Sequence, residues 1–171
     1  IQGLKSENFF RLLTDIECGK KAKPAPKEMK ILETVNSNVD YVYLHLPMPF
    51  PMSDRDYVQQ RIYLNNKDDA KLVKQYGLYE KENKYYILMA KSVERSDCPV
   101  KGSLVRAEAK MNYWFVEEIP GEKDSLRFKV KTCQALNGSI PLFIINDVGA
   151  KMTPKMMSEM IDHYKRMFGD G

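Results

Sequence analysis

Histidine is scarce in this 171-residue chain, where His45 and His163 are the only two. One falls in strand-like sequence and the other on a polar helix face, so a nucleophile–base pair or a histidine-based metal site has little to be built from. Both read as surface or structural histidines. Cysteine is nearly as sparse. Cys18, Cys98 and Cys133 are odd in number and widely scattered. They form neither a disulfide framework nor a C-x-x-C metal site, and the expected setting is reducing and cytoplasmic. The nine glycines spell neither G-x-G-x-x-G nor G-x-x-x-x-G-K, so a phosphate-cradling loop is missing. Carboxylates are numerous, but none stands in an acid/base spacing. The longest notable apolar run, Ile140 to Ile145, contains Pro141 and is far too short to cross a membrane. The first residues, IQGLKSENFF, read like the middle of a domain, and any targeting segment is expected upstream. These absences argue against an enzyme, and no cofactor is implied.

What is present describes an ordinary globular chain. Hydrophobic residues make up 43% and charged residues 29%, which fits a single domain over residues 1–171. The net charge of +4 suits transient contact with an anionic membrane surface but is too small to argue for nucleic acid. Tyr41 and Tyr43 alternate like a base-stacking platform, yet no basic stripe interleaves with them, so packing or exposed sheet surface is the expected role.

The periodicity predicts a short helix after Ser6, read as its N-cap, with Phe9, Leu12, Leu13 and Ile16 as its apolar stripe. The Lys- and Pro-rich GKKAKPAPKEMK breaks regular structure. A β-hairpin follows, Met29 to Val35 and Val39 to Leu46, then strands over Tyr57 to Leu64, Leu72 to Glu80 and Lys84 to Val93, the last two expected to pair. From Leu104 to Val116, alternation places Val105, Ala107, Ala109, Met111, Tyr113 and Phe115 on a buried face. Leu126, Phe128 and Val130 continue that face on the return strand. From Ile140 to Phe168 the period turns helical, with Gly149 and Pro154 at a break and Thr153 as the second segment's N-cap. Its apolar side carries Met156, Met157, Met160, Ile161, Tyr164, Met167 and Phe168, and His163 falls on the polar side. The expected class is α+β: a curved antiparallel sheet gripping one long C-terminal helix.

Two features leave alternatives open. Five methionines between Met152 and Met167 are either core or an adaptable apolar surface for a variable partner. Likewise, the face of Tyr57, Gln59, Arg61 and Tyr63 either meets water or turns Arg61 into a partly apolar cavity. A buried Arg61 would need an anionic partner, from the protein or from a ligand.

The stretch PFPMSDRDYVQQR, Pro49 to Arg61, resembles the signature turn and strand of START domains, the steroidogenic acute regulatory-related lipid-transfer family. GSLVRAE, Gly102 to Glu108, and NGSIPLFIIN, Asn137 to Asn146, are similar to two further family motifs in the same order, and the wording is that of the phosphatidylcholine-transfer-like branch. The resemblance implies a helix-grip fold enclosing a lipid tunnel closed by the C-terminal helix, and non-enzymatic binding and intermembrane transfer of a glycerophospholipid. A lipid-sensing module of a larger protein and a sterol carrier are the alternatives. It implies a polar end at Arg61, Tyr57, Gln59 and Lys20, with Leu44, Met111, Tyr113, Phe128, Ile145, Met156, Met160 and Tyr164 along the chains. In the choline-binding branch an aromatic cage holds the ammonium. Tyr57 matches one member, whereas Leu44 and Lys110 stand where two aromatic residues would be, and the phosphate-binding Arg falls near Lys20 or Lys21. Head-group choice is therefore expected to be relaxed. The sterol branch pairs an acidic residue with an Arg of the next strand, and that place falls near Val42, so no such ion pair is expected. Family domains begin with a helix and about three strands before the point where this chain starts. Without them the sheet would expose an edge and invite dimer formation.

Overall fold

A computed structural model of the chain describes residues 2–22, 25–75, 77, 83–140, 155 and 157–169. Helix α1 (Ser6–Thr14) stops at Asp15, whose carboxylate accepts the Glu17 and Cys18 N–H groups and so caps a second short helix, α2 (Ile16–Lys20). The cap of α1 is Lys5 and not Ser6. Ser6 is buried, and its hydroxyl is spent on Glu118 instead of the helix end.

Strands β1 (Glu28–Asn36), β2 (Val39–Leu46) and β3 (Arg55–Asn65) follow, then helix α3 (Ala70–Gln75), then β4 (Tyr85–Ser92), β5 (Val105–Arg106), β6 (Glu108–Glu118) and β7 (Leu126–Ala135). A final helix, α4, runs over 157–168. The sheet order is β1-β2-β3-β4-β6-β7, all antiparallel, with β5 added in parallel to the start of β3. Among the described residues, β1 and β7 are its edges.

The expected strand over Leu72 to Glu80 is replaced, in its described part, by α3. Val73 of that helix packs on Tyr85, Ile87 and Phe115, so a helix covers this patch of the outer sheet face. β4 accordingly pairs with β3 and β6. The main core lies at the other side of the sheet. Leu4, Phe9, Leu12, Cys18, Tyr86, Val116, Leu126 and Tyr164 form it, and Met160, Met167 and Phe168 of α4 pack against it. Tyr164 sits against Phe9, and its hydroxyl accepts the Lys5 N–H at 2.9 Å. His163, placed on the polar side by periodicity, is 5% exposed, with Nε2 2.8 Å from the Cys18 carbonyl. A polar residue on the helix flank is thereby drawn inward to meet the end of α2.

The three sequence motifs meet in one polar knot. Arg55, 1% exposed, donates from Nε to the Leu136 carbonyl and from Nη2 to the Asn137 carbonyl, each at 2.9 Å, and from Nη1 to Ser53 O. Fully buried Asp56 accepts a two-pronged contact from Arg106, at 2.8 and 3.0 Å. Asn137 donates to the Arg106 carbonyl, and the Val105 and Ala107 N–H groups bond the Asp54 and Asp56 carbonyls. Asp54 accepts from Lys27 Nζ at 2.6 Å and from the Met48 N–H at 3.1 Å, with His45 Nε2 at 2.8 Å. Lys27 first, then His45 and that N–H, hold its carboxyl well below the usual carboxylate range. Gly138 takes φ +68°, and a Cβ there would lie 3.3 Å from Val105 Cγ1 and 3.5 Å from Arg55 Nη2. Only glycine combines that backbone with that closeness. Replacing Arg55 with Met should cost on the order of 3 kcal/mol, because charge-assisted bonds vanish and buried carbonyls lose their partner. Urea unfolding checks this, and a loss well under 1 kcal/mol would show that the knot does not hold the fold.

Candidate functional site

The alternation of β2 and β3 turns Val42, Leu44, Leu46, Tyr57, Gln59 and Arg61 toward the same side of the sheet. There they line a cavity of about 210 Å³, with Leu88 and Ala90 of β4, Asn112 and Trp114 of β6, Gln134 of β7, Leu13 of α1 and Met29 of β1. A larger cleft of about 420 Å³ lies at the start of α1, but its rim mixes Lys5, Lys84 and Lys123 with Glu7, Glu118 and Glu122. Charges of both signs around a cleft describe hydrated surface. The inner cavity, mostly apolar with a few polar groups, is the candidate site.

Arg61 is 4% exposed and Asp40 2% exposed. The two residues face each other in register across β2 and β3. Nε donates to Oδ1 at 2.8 Å and Nη2 to Oδ2 at 2.6 Å, while Nη1 donates to the Thr14 carbonyl at 2.9 Å. Tyr63 adds its hydroxyl to the same carboxylate at 3.1 Å. Burial first, then the Asp40 charge, pushes the Tyr63 hydroxyl up to about 12. The acidic partner of Arg61 is thus Asp40, two residues before the Val42 position where the resemblance looked for it and on the same face of β2. The expectation that no such ion pair exists is corrected.

Beyond Arg61 the cavity carries a second polar group of residues. Tyr57 donates its hydroxyl to Gln134 Oε1 at 2.9 Å, and Gln134 Nε2 donates to Asn112 Oδ1 at 3.2 Å. Burial raises the Tyr57 hydroxyl above its ordinary value. Tyr57 also packs with Ala107, Ala109 and Leu44.

Of the expected polar set, Arg61, Tyr57 and Gln59 come together and Lys20 does not. Lys20 stands exposed on α2, 2.8 Å from Glu17. Of the chain-lining set, Leu44 lines the cavity. Met111 and Tyr113 do not. A bulge in the β6–β7 pairing between Ala109 and Met111 inverts the alternation, so that Asn112 and Trp114 face inward, Met111 is exposed and Tyr113 packs beside Phe115 on the outer face. Phe128, Met160 and Tyr164 belong to the neighbouring core, where Phe128 meets Phe9 edge to ring and Trp114 at a tilt. Ile145 and Met156, like Gly149, Thr153 and Pro154, lie outside the described residues.

Asp40, Asn112, Trp114 and Gln134 are not among the residues that the sequence singles out. Asp40 carries a usable signal, since it shares the parity of Val42 and Leu44. Gln134 likewise continues the parity of Leu126, Phe128 and Val130 on β7, whereas Asn112 and Trp114 depend on the bulge in β6, which alternation does not announce. Replacing Arg61 with Ala should cost about 3–5 kcal/mol, because Asp40 is left charged and unpaired in the interior. Combining it with Asp40→Leu should recover a good part of that loss in urea unfolding. A single variant as stable as the parent would contradict the buried pair.

No family sequence profile matches the chain, and no match was found among curated proteins. Solved structures do resemble it. Human STARD10 is 22% identical with a TM-score of 0.77, over 96% of this chain and 62% of that one. Human StAR-related lipid transfer protein 5 is 16% identical with a TM-score of 0.77, over 98% and 73%. A STAR-related lipid transfer protein fragment from Xanthomonas axonopodis is 17% identical with a TM-score of 0.67, over 96% and 81%. The chain therefore spans less than two thirds of the STARD10 structure. At these identities the likeness establishes the architecture: a curved sheet with a C-terminal helix, the helix-grip fold of the START domains.

Proposed function

We propose that the chain binds one lipid molecule in the inner cavity and carries it between membranes without altering it, and that the lipid bears an uncharged polar group. The observation that carries this reading is the lining, in which Leu13, Val42, Leu44, Leu46, Leu88 and Trp114 surround a few polar groups. Each methylene buried against such a wall recovers about 0.8 kcal/mol, which offsets removal from the bilayer. Two of the similar structures are lipid transfer proteins by name, which supports the same direction. The cavity, at about 210 Å³, is smaller than the roughly 300–1,000 Å³ of most small-molecule sites. A whole lipid exceeds that volume, so the walls must widen to take one, and a membrane surface is where exposed apolar walls find cover.

The uncharged head group follows from Asp40. A glycerophospholipid, which the sequence favours, needs a cation for its phosphate. Arg61 already has its counter-ion, and Lys20 stands outside the cavity beside Glu17. A phosphate entering here would meet the Asp40 carboxylate together with the guanidinium, which cancels much of the attraction. Donor vesicles carrying fluorescent sterol, diacylglycerol or phosphatidylcholine test this. Protein should speed movement of an uncharged lipid to acceptor vesicles, with phosphatidylcholine about tenfold or more slower. Phosphatidylcholine moving fastest would overturn the head-group choice, and no movement of any lipid would overturn carriage.

A further inference from the structure

We infer that the Gln59 side chain is the polar anchor of the ligand, and that the ligand is a lipid with a free hydroxyl group. This deepens the lipid-binding reading above and rests on it. Gln59 lies on β3 between Tyr57 and Arg61, is 5% exposed, and lines the cavity. Its polar neighbours on that face are already engaged. Tyr57 is bonded to Gln134, Gln134 to Asn112, and Arg61 to Asp40 and the Thr14 carbonyl. No hydrogen bond to another described residue reaches the Gln59 amide. The side chain is thus 5% exposed, and its amide opens on a mostly apolar cavity with its hydrogen-bonding capacity unspent, free to meet a ligand group.

The chemistry of the amide selects its partner. Nε2 offers two donors and Oε1 an acceptor, side by side in one plane. A hydroxyl is the smallest group that answers both, accepting from Nε2 and donating to Oε1. A phosphate diester or an ester carbonyl only accepts, and a quaternary ammonium does neither. Sterols and diacylglycerols both present one free hydroxyl on an otherwise apolar body, and Leu44, Leu88 and Trp114 supply the apolar surroundings for either.

Cholesterol, dioleoylglycerol and the O-methyl ether of each, presented singly in phosphatidylcholine vesicles, separate the outcomes when the re-isolated protein is read by non-denaturing mass spectrometry. The wild-type chain should take each alcohol about tenfold or more in preference to its ether, since the ether leaves Oε1 unpaired. Gln59→Leu and Gln59→Met should bind alcohol and ether alike. Whichever alcohol saturates the protein identifies the source of the hydroxyl. If the wild type takes ethers as readily as alcohols, binds the phosphatidylcholine of the vesicle instead, or keeps its preference after substitution, Gln59 is not the anchor while lipid binding stands. If no lipid binds at all, the lipid-binding reading falls and takes this inference with it. The wild-type comparison needs no variant, so a substitution that fails to fold leaves the test intact.

Discussion

A guanidinium with almost no access to water must find partners inside the protein, and Arg55 finds them on the backbone that follows the last strand. That one requirement ties the start of β3 to the end of β7, three strands away in the sheet. Asp56 imposes a second tie by holding Arg106, and Asn137 closes the loop by bonding the Arg106 carbonyl. The position from which the chain departs toward α4 is thereby set by side chains of β3. The turn PFPMSDRDYV is thus a structural device, and the Asp-Arg-Asp order gives each charge a different strand or loop to hold.

The cavity inherits its character from the same strand. On one face of β3, Asp56 and Val58 are buried beneath Arg106, Tyr43 and Cys98; on the other, Tyr57, Gln59 and Arg61 are buried toward the cavity. Burying Arg61 is tolerable because Asp40 sits opposite it in register, and the pair is electroneutral. The pair therefore adds no net charge to the cavity, and the exposed lysines such as Lys20 suit an anionic surface better than a ligand held inside.

Much of this is legible in the sequence. The hairpin of β1 and β2 announces itself through Asn36-Ser37-Asn38, and period-two alternation puts Tyr57, Gln59 and Arg61 on one face without deciding whether that face is wet or buried. The three motifs are legible only through their resemblance to a family pattern, in the same order along the chain. The failures are equally physical. Leu72 and Val73 read as strand because a short apolar run has no period of its own, and the sheet patch of Tyr85 and Ile87 that recruits α3 is a tertiary partner. Met111 and Tyr113 read as inward-facing because alternation carries no sign of the one bulged residue that flips every side chain after it. His163 reads as exposed because a helical wheel does not know of the Cys18 carbonyl. Asp40 escapes a resemblance followed residue by residue, where cross-strand register points to it.

Whether this fold holds one lipid with an uncharged polar group is tested most directly by non-denaturing mass spectrometry of the chain as purified, with extraction and identification of whatever copurifies. A one-to-one complex with an uncharged lipid is the expected result. A stoichiometric phospholipid would contradict the reading of Asp40 and Arg61, and a bare protein that also takes nothing from vesicles would contradict lipid binding itself.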